Sequence, residues 1–169
     1  MASERPLGAL EIPAAISFIL LMAVTAVLGS GEIRVLRLVA LITGVGSLPL
    51  IFLPMFTLKR YGEVDEGESY MATKRVVDRG LFSVIRHPQY LGYILMGVTF
   101  ALISQRWYSV ALAALGSLFF LLHTRQEEVF LREKFGLEYA DYMARVQGLN
   151  LFVGVARALR REQKGSESG

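Results

Sequence analysis

The chain reads as an all-α, polytopic membrane protein with about four transmembrane helices and C-terminal amphipathic helices on the cytoplasmic side. Three observations predict this. The 169 residues are 53% hydrophobic with a mean hydropathy of +0.44, above an ordinary soluble domain. Four apolar segments each approach the ~20 residues needed to cross ~30 Å of hydrocarbon. The Lys and Arg residues divide unevenly between the two sides of those segments, as the positive-inside rule requires.

The first span runs from about Ile12 to Leu28, with Pro13 tolerable in the first turn. It begins too far into the chain, and has the wrong flanks, for a cleavable signal peptide. The second runs from about Ile33 to Leu58 and contains Pro49 and Pro54, which predict a kink or a break. Within it, Gly44-Val45-Gly46 reads as permission for close helix packing. It is no dinucleotide fingerprint, because no strand precedes it. The third span covers Pro88 to Ser104, and the fourth starts on the interfacial aromatics Trp107 and Tyr108 and ends near His123. One side of these spans holds Arg34, Arg37 and Arg106. The other holds 15 basic residues: Arg5, the six between Lys59 and Arg86, and the eight from Arg125 onward. Both termini and the loop 59–87 are therefore expected to be cytoplasmic.

Composition also excludes. No cysteine is present, so disulfides, thiolate catalysis and cysteine-ligated metals are ruled out. The net charge of +3 lies mostly beside apolar segments, which suits a membrane surface; nucleic acid would want a separate basic face. The spans carry no lysine, no acidic relay and no broken inverted repeat, which disfavours a transporter. The whole chain is expected to be one membrane domain: spans 12–58, cytoplasmic loop 59–87, a helical hairpin with amphipathic helices over 88–151, and a disordered tail over 162–169.

The chemistry gathers at two places. Arg86-His87-Pro88-Gln89-Tyr90-Leu91-Gly92 starts the third span, with proline at the favoured first helical position. The free N–H groups of that first turn and the adjacent arginine suit a carboxylate or phosphate. Glu127 and Glu128 follow the fourth span, with His123 one turn before Glu127 and Arg125 three residues before Glu128. A hairpin of adjacent helices would bring both places to the same face. Each has a plainer reading: a capped helix start with a snorkelling arginine, and a solvated acidic face paired with Arg125 and Arg132. A metal held by His87, His123 and the glutamates is not expected, because the repeated ligand spacing of a helical site is missing. Further on, Gly136 is expected to end a helix in a left-handed conformation. Tyr139, Tyr142, Met143 and Val146 recur at i, i+3, i+4 and i+7, one face of a short helix.

Taken together, the C-terminal half resembles the integral-membrane methyltransferases related to isoprenylcysteine carboxyl methyltransferase and phospholipid N-methyltransferase. The resemblance covers about Val77 to Leu151. It rests on Gly80-Leu81-Phe82, the Arg86–Gly92 string, Glu127-Glu128, Phe135-Gly136, Glu138-Tyr139, Tyr142 and Val146. It implies S-adenosylmethionine as methyl donor and a lipophilic acceptor entering from the bilayer, a phospholipid amine headgroup or an isoprenylcysteine-like carboxylate. It implies His87, Pro88, Tyr90, Gly92, Glu127 and Tyr139 as cofactor contacts, and Arg86 and Glu128 as the residues aligning or deprotonating the acceptor.

The sequence departs from the family pattern in two places. His123 stands near where relatives carry an arginine before the glutamates, and Gln147-Gly148-Leu149-Asn150 replaces a proline-bearing end. The charged loop from Arg60 to Arg79 matches no family pattern and is read either as a lid or headgroup reader, or as a solvated connection. The alternative class is an NADPH-dependent, sterol-reductase-like membrane oxidoreductase, which shares the Arg-His-Pro-x-Tyr-x-Gly segment.

Overall fold

In a computed structural model the described residues are 10–167. Arg5, counted above toward the cytoplasmic side, and residues 168–169 of the expected tail lie outside them, as do the side chains of Arg161 and Lys164. Six helices make up the described chain: α1 Glu11–Leu28, α2 Arg34–Tyr61, α3 Pro88–Ser104, α4 Trp107–Phe135, α5 Leu137–Arg145 and α6 Leu151–Glu167, with a 3₁₀ turn at Gly80–Ser83 before α3. Among the described residues there is no strand beyond one isolated bridge, Ile85 with Gln147. The protein is all-α.

Three helices, α1, α2 and α4, are long and apolar enough to cross a membrane, and α3 is a shorter apolar helix of 17 residues. Large side chains on them stand open, among them Val27 at 80%, Phe56 at 71% and Val35 at 68% exposure. In water such surfaces would be untenable; in hydrocarbon they are simply solvated. This is an integral membrane protein. At ~1.5 Å per residue, the 29 residues of α4 reach ~43 Å. Its apolar stretch ends at His123, so the charged remainder from Thr124 to Phe135 projects beyond the membrane-crossing part.

The chain divides into two compact units. One comprises the chain up to Ile51 with Tyr90–Glu127; the other comprises Phe52–Gln89 and the chain from Glu128 on. The first is packed with small residues and hydroxyls in place of large apolar knobs, because lipid offers no hydrophobic drive and close approach must supply the contact. On α1, Ala14, Ser17, Leu21 and Thr25 form the buried face. Ser17 and Thr25 return their hydroxyls to the carbonyls of Pro13 and Leu21, both at 2.8 Å. Thr43 and Thr99 hydrogen-bond across α2 and α3 at 2.9 Å. A Cβ on Gly44 would approach Thr99 Cγ2 to 3.1 Å, whereas one on Gly46 would meet nothing within 4 Å. Close packing therefore explains the first glycine of that pair and not the second. Gln105 braces the turn between α1 and α2: its amide accepts from Ile33 N at 2.9 Å and donates to Ile33 O at 3.0 Å.

Two sequence expectations change. α2 is one continuous helix through Pro49 and Pro54, so of the kink or break expected there the break is absent. Each proline removes one donor, but in apolar surroundings leaving the helix would strand far more backbone polar groups than staying in it. The stretch 162–167, expected to be without structure, continues α6. Its start is fixed by Asn150, whose side-chain oxygen accepts from Val153 N at 3.1 Å, an N-cap, and its Arg, Glu, Gln and Lys residues are good helix formers.

The second unit is held by a cluster of Tyr139, Tyr142 and Val146, with Val76, Leu131, Phe135 and Met143 against it. This is the face that the spacing predicts. Gly136 separates α4 from α5 with φ of 59°, in the positive region expected of it, and that sign is what a side chain at this position would resist.

Helix α3 approaches α2 at Gly92, where a Cβ would lie 2.7 Å from Ile51 Cγ1 and 3.1 Å from both Ile51 N and Leu50 Cβ. Gly92→Ala is therefore expected to lower unfolding stability in detergent by about 1–3 kcal/mol. Gly46→Ala, with open space around it, should be neutral or slightly stabilising, up to about 1 kcal/mol by helix propensity. Thermal unfolding followed by circular dichroism distinguishes the two.

Candidate active site

The second unit carries an ionic cluster built from Arg86, His87 and Glu128. Chain segment 85–87 is fixed first by backbone. Arg86 N donates to Gln147 O at 2.7 Å and His87 N to Gly148 O at 3.1 Å, so the residues just before α3 lie alongside those just after α5. Pro88 then opens α3, as the sequence predicts. Pro88 and Ile85 are fully buried, which leaves the intervening Arg86 and His87 little freedom to turn elsewhere.

Around Glu128 the geometry is convergent. Its Oε1 accepts from Arg86 Nε at 3.0 Å, from Arg86 Nη2 at 2.6 Å and from His87 Nε2 at 3.0 Å. The Arg86 Nη1 donates to the carbonyls of Met143 at 3.0 Å and Val146 at 2.6 Å. Those are orphan acceptors at the end of α5, where no further helical N–H follows. The three side chains are only 12%, 4% and 20% exposed for Arg86, His87 and Glu128. Little water competes, and each charge-assisted bond is stronger for it.

Burial alone would raise the Glu128 carboxyl, but the hydrogen bonds from His87 and Arg86 and the guanidinium charge outweigh it and hold the group down to about 2. It is an anion at neutral pH. Two neighbours complete the surroundings. Tyr142, whose phenol burial pushes up, donates to Phe82 O at 2.7 Å and anchors the 3₁₀ turn. Gly148 borders the pair: a Cβ there would sit 3.4 Å from Arg86 Nη2 and 3.9 Å from Glu128 Oε1.

The structure thus joins three of the residues singled out in sequence, Arg86, His87 and Glu128, with Pro88 beside them. Tyr139 belongs to the same unit but is 3% exposed within the Tyr142 and Val146 cluster, so packing accounts for it. Tyr90, Gly92 and Glu127 belong to the other unit. There Tyr90 packs on the rings of Phe120 at 5.7 Å and His123 at 5.6 Å, and Gly92 admits Leu50 and Ile51 of α2. His123 meets Glu11 at 2.7 Å, a pairing 112 positions apart that no local spacing reveals. Arg125 is not the partner of Glu128; Arg86 and His87 take that oxygen.

Sequence reasoning also missed the hydrogen-bonded pair Tyr70 and Gln89, with Gln89 Nε2 donating to Tyr70 Oη at 3.1 Å. This ties the 60–79 loop to the segment Arg86–Tyr90. The loop is braced further by Lys74 with Asp65, Arg75 with Glu63 at 3.1 Å, and Lys134 Nζ on Thr73 O at 2.7 Å.

Helices and ionic cluster define an integral membrane protein with a water-poor, fixed anion just past the apolar part of α4. The sequence profile of the phospholipid methyltransferase family matches residues 35–138. The chain belongs to that family and is, at that level, a methyltransferase. The matched stretch contains the Arg86–Gly92 string and Glu127-Glu128, and stops just before Tyr139. No curated protein and no solved structure matches the chain.

The cluster makes two expectations. A carboxyl whose folded value is depressed from 4.5 to about 2 adds stability in full above the unfolded value, and loses it as pH falls through the folded one. Wild-type unfolding midpoints should fall between pH 4.5 and 2 more steeply than those of Glu128→Gln, which has no proton to take up there. Arg86→Ala strands Glu128 and two carbonyls together and should cost about 3 kcal/mol in denaturant unfolding. Arg86→Lys should recover only part of that, since a point charge cannot reach the carboxylate and both carbonyls at once.

Proposed function

We propose that this protein transfers a methyl group from S-adenosylmethionine to the amine headgroup of a membrane phospholipid. Family membership supports methyl transfer, and the observation that carries the finer reading is the fixed Glu128 anion. All three of its donors fall on Oε1, and no described residue bonds to Oε2. A carboxylate so arranged fits a cationic ligand. S-adenosylmethionine supplies an electrophilic methyl group on a sulfonium and brings an ammonium besides. Arg86, by contrast, spends its donors within the protein, so it does not fit the cofactor's carboxylate.

The depressed Glu128 value decides its role. An alkylammonium titrates near 10, about eight pH units above this carboxyl, a gap on the order of 10 kcal/mol. Glu128 is therefore unsuited to deprotonate an amine. It acts as an electrostatic anchor that holds a cationic partner in line, while His87 and Arg86 keep its oxygen from turning. The headgroup amine must first lose its proton to solvent water. Its lone pair then takes the methyl group as the C–S bond breaks and the sulfur leaves as a neutral thioether, so orientation and exclusion of further water are what the chain has to supply. In this reading α3, at ~25 Å, is the fourth crossing. The concentration of 15 basic residues on one side supports a cytoplasmic location for the cluster and both termini.

Calorimetric titration of the detergent-solubilised protein with S-adenosylmethionine, with NADPH titrated separately, tests the proposal. The expected result is saturable binding of S-adenosylmethionine alone, at least 10-fold weaker in Glu128→Gln, because charge-assisted contacts contribute about 1.5–3 kcal/mol. His87→Ala should weaken binding likewise, since His87 holds the Glu128 oxygen, while the helical signal stays intact. Labelled methyl should then appear on phosphatidylethanolamine in vesicles. Binding of NADPH alone, or undiminished S-adenosylmethionine binding in both variants, overturns the proposal.

A further inference from the structure

Helix α6 presents three stripes, each at the i, i+3, i+7 spacing of one helix face. Leu151, Gly154 and Ala158 form the inward stripe. At Gly154 the fit is tight enough that a Cβ would lie 3.0 Å from Ile85 Cγ2 and closer still to the Val84 carbonyl. One residue along, Phe152, Val155 and Leu159 are 88%, 42% and 55% exposed. On the far side of those, Arg157 and Arg160 are exposed, and the sequence continues the spacing at Lys164. An apolar stripe flanked by a basic one, on a helix with a third face already packed, is the pattern of a helix lying in a membrane interface.

We infer that α6 docks on the surface of an anionic leaflet, with Phe152, Val155 and Leu159 entering the acyl boundary and Arg157 and Arg160 meeting lipid phosphates. Charge complementarity selects this occupant. A second copy of the chain would bring two basic stripes together, and three side chains fall well short of the ~800 Å² per partner that a stable interface buries. The bilayer is always within reach, because the chain is embedded in it. This inference does not depend on the methyl-transfer reading. Its consequence for the fold is direct, since α6 rests on Val84 and Ile85, immediately before Arg86.

The protein has no cysteine, so single cysteines placed in turn at positions 152, 153, 155, 157, 159 and 160 of the full chain can carry a polarity-sensitive fluorophore. Each is reconstituted into phosphatidylcholine vesicles with and without phosphatidylglycerol. Labels at 152, 155 and 159 should shift to the blue and be shielded from an aqueous quencher, while 153, 157 and 160 stay accessible. The shielding should rise with phosphatidylglycerol and weaken in high salt. With the label at 159, Arg157→Gln and Arg160→Gln should each lower the docked-to-undocked ratio about 5-fold. Equal accessibility at all six positions overturns the inference. So does shielding that follows the protein-to-lipid ratio, which would assign the stripe to a contact between copies. Six independent positions guard against any one variant failing to fold.

Discussion

Everything in the second unit hangs on where the Arg86 guanidinium goes. Its five N–H groups lie in one rigid plane, and the structure uses that plane as a bracket. Two bonds hold Glu128 Oε1 at one edge; at the other, two bonds close the carbonyls of Met143 and Val146. A single side chain thereby ties the start of α3, the extramembrane end of α4 and the end of α5. The backbone pairing of 86–87 with 147–148 works with it, because the bracket spans these three places only if the strand-like segment has already been brought alongside. His87 then fixes the carboxylate from a third direction. A lysine in the same place would leave α5 with open carbonyls in a water-poor setting, which is the arrangement folded proteins avoid.

The bilayer dictates the other unit in a different way. Its helices expose many large side chains to lipid, and their buried faces mix Ala, Ser and Thr with a few large residues, Leu21, Leu50, Tyr90 and Phe120. The hydroxyls are made harmless by bonding to carbonyls of their own helix, or to one another as in Thr43 with Thr99 and Ser104 with Ser109 at 2.7 Å. Polar groups at such depth must find a partner. Glu11 and His123 show the same rule at larger scale: a carboxylate at the start of α1 and an imidazole at the end of the apolar run of α4 meet at 2.7 Å.

Much of this was legible in the sequence, and what was legible shares one property: it is local. Pro88 marks the start of α3, Gly136 the break after α4, and the Tyr139, Tyr142, Val146 spacing a packed face, because each is a statement about a turn or two of helix. Non-local facts were not legible. The partner of Glu128 could be read as Arg125, three residues away on the same helix, because nothing local shows Arg86 coming 42 positions across to take its oxygen. The unbroken course of α2 depends on what surrounds the two prolines, Pro49 on the open face of the helix and Pro54 fully buried, and no local pattern tells those surroundings. The helix over 162–167 was masked by composition: Gly and Ser read as a tail, while the Asn150 cap and the stripe of Phe152, Val155 and Leu159 govern the segment from its other end.

The same distinction bears on the motif itself. Arg86 sits in the string Arg-His-Pro-x-Tyr-x-Gly and invites a reading as a ligand-binding cation, yet its donors are occupied within the chain. Gly92 in the same string is required by Leu50 and Ile51, and Tyr90 stacks on Phe120 and His123. Gln89 fills the position that the string leaves open, and it reaches Tyr70 of the 60–79 loop, so that loop is fastened to the motif rather than merely solvated. A string that looks like a list of ligand contacts is thus, in large part, a set of packing and bracing positions, and its first two residues, Arg86 and His87, have one chemical consequence. That consequence is a carboxylate held ionised and still, with one oxygen fully engaged, and the chemistry assigned to this protein is the chemistry such an anion can serve.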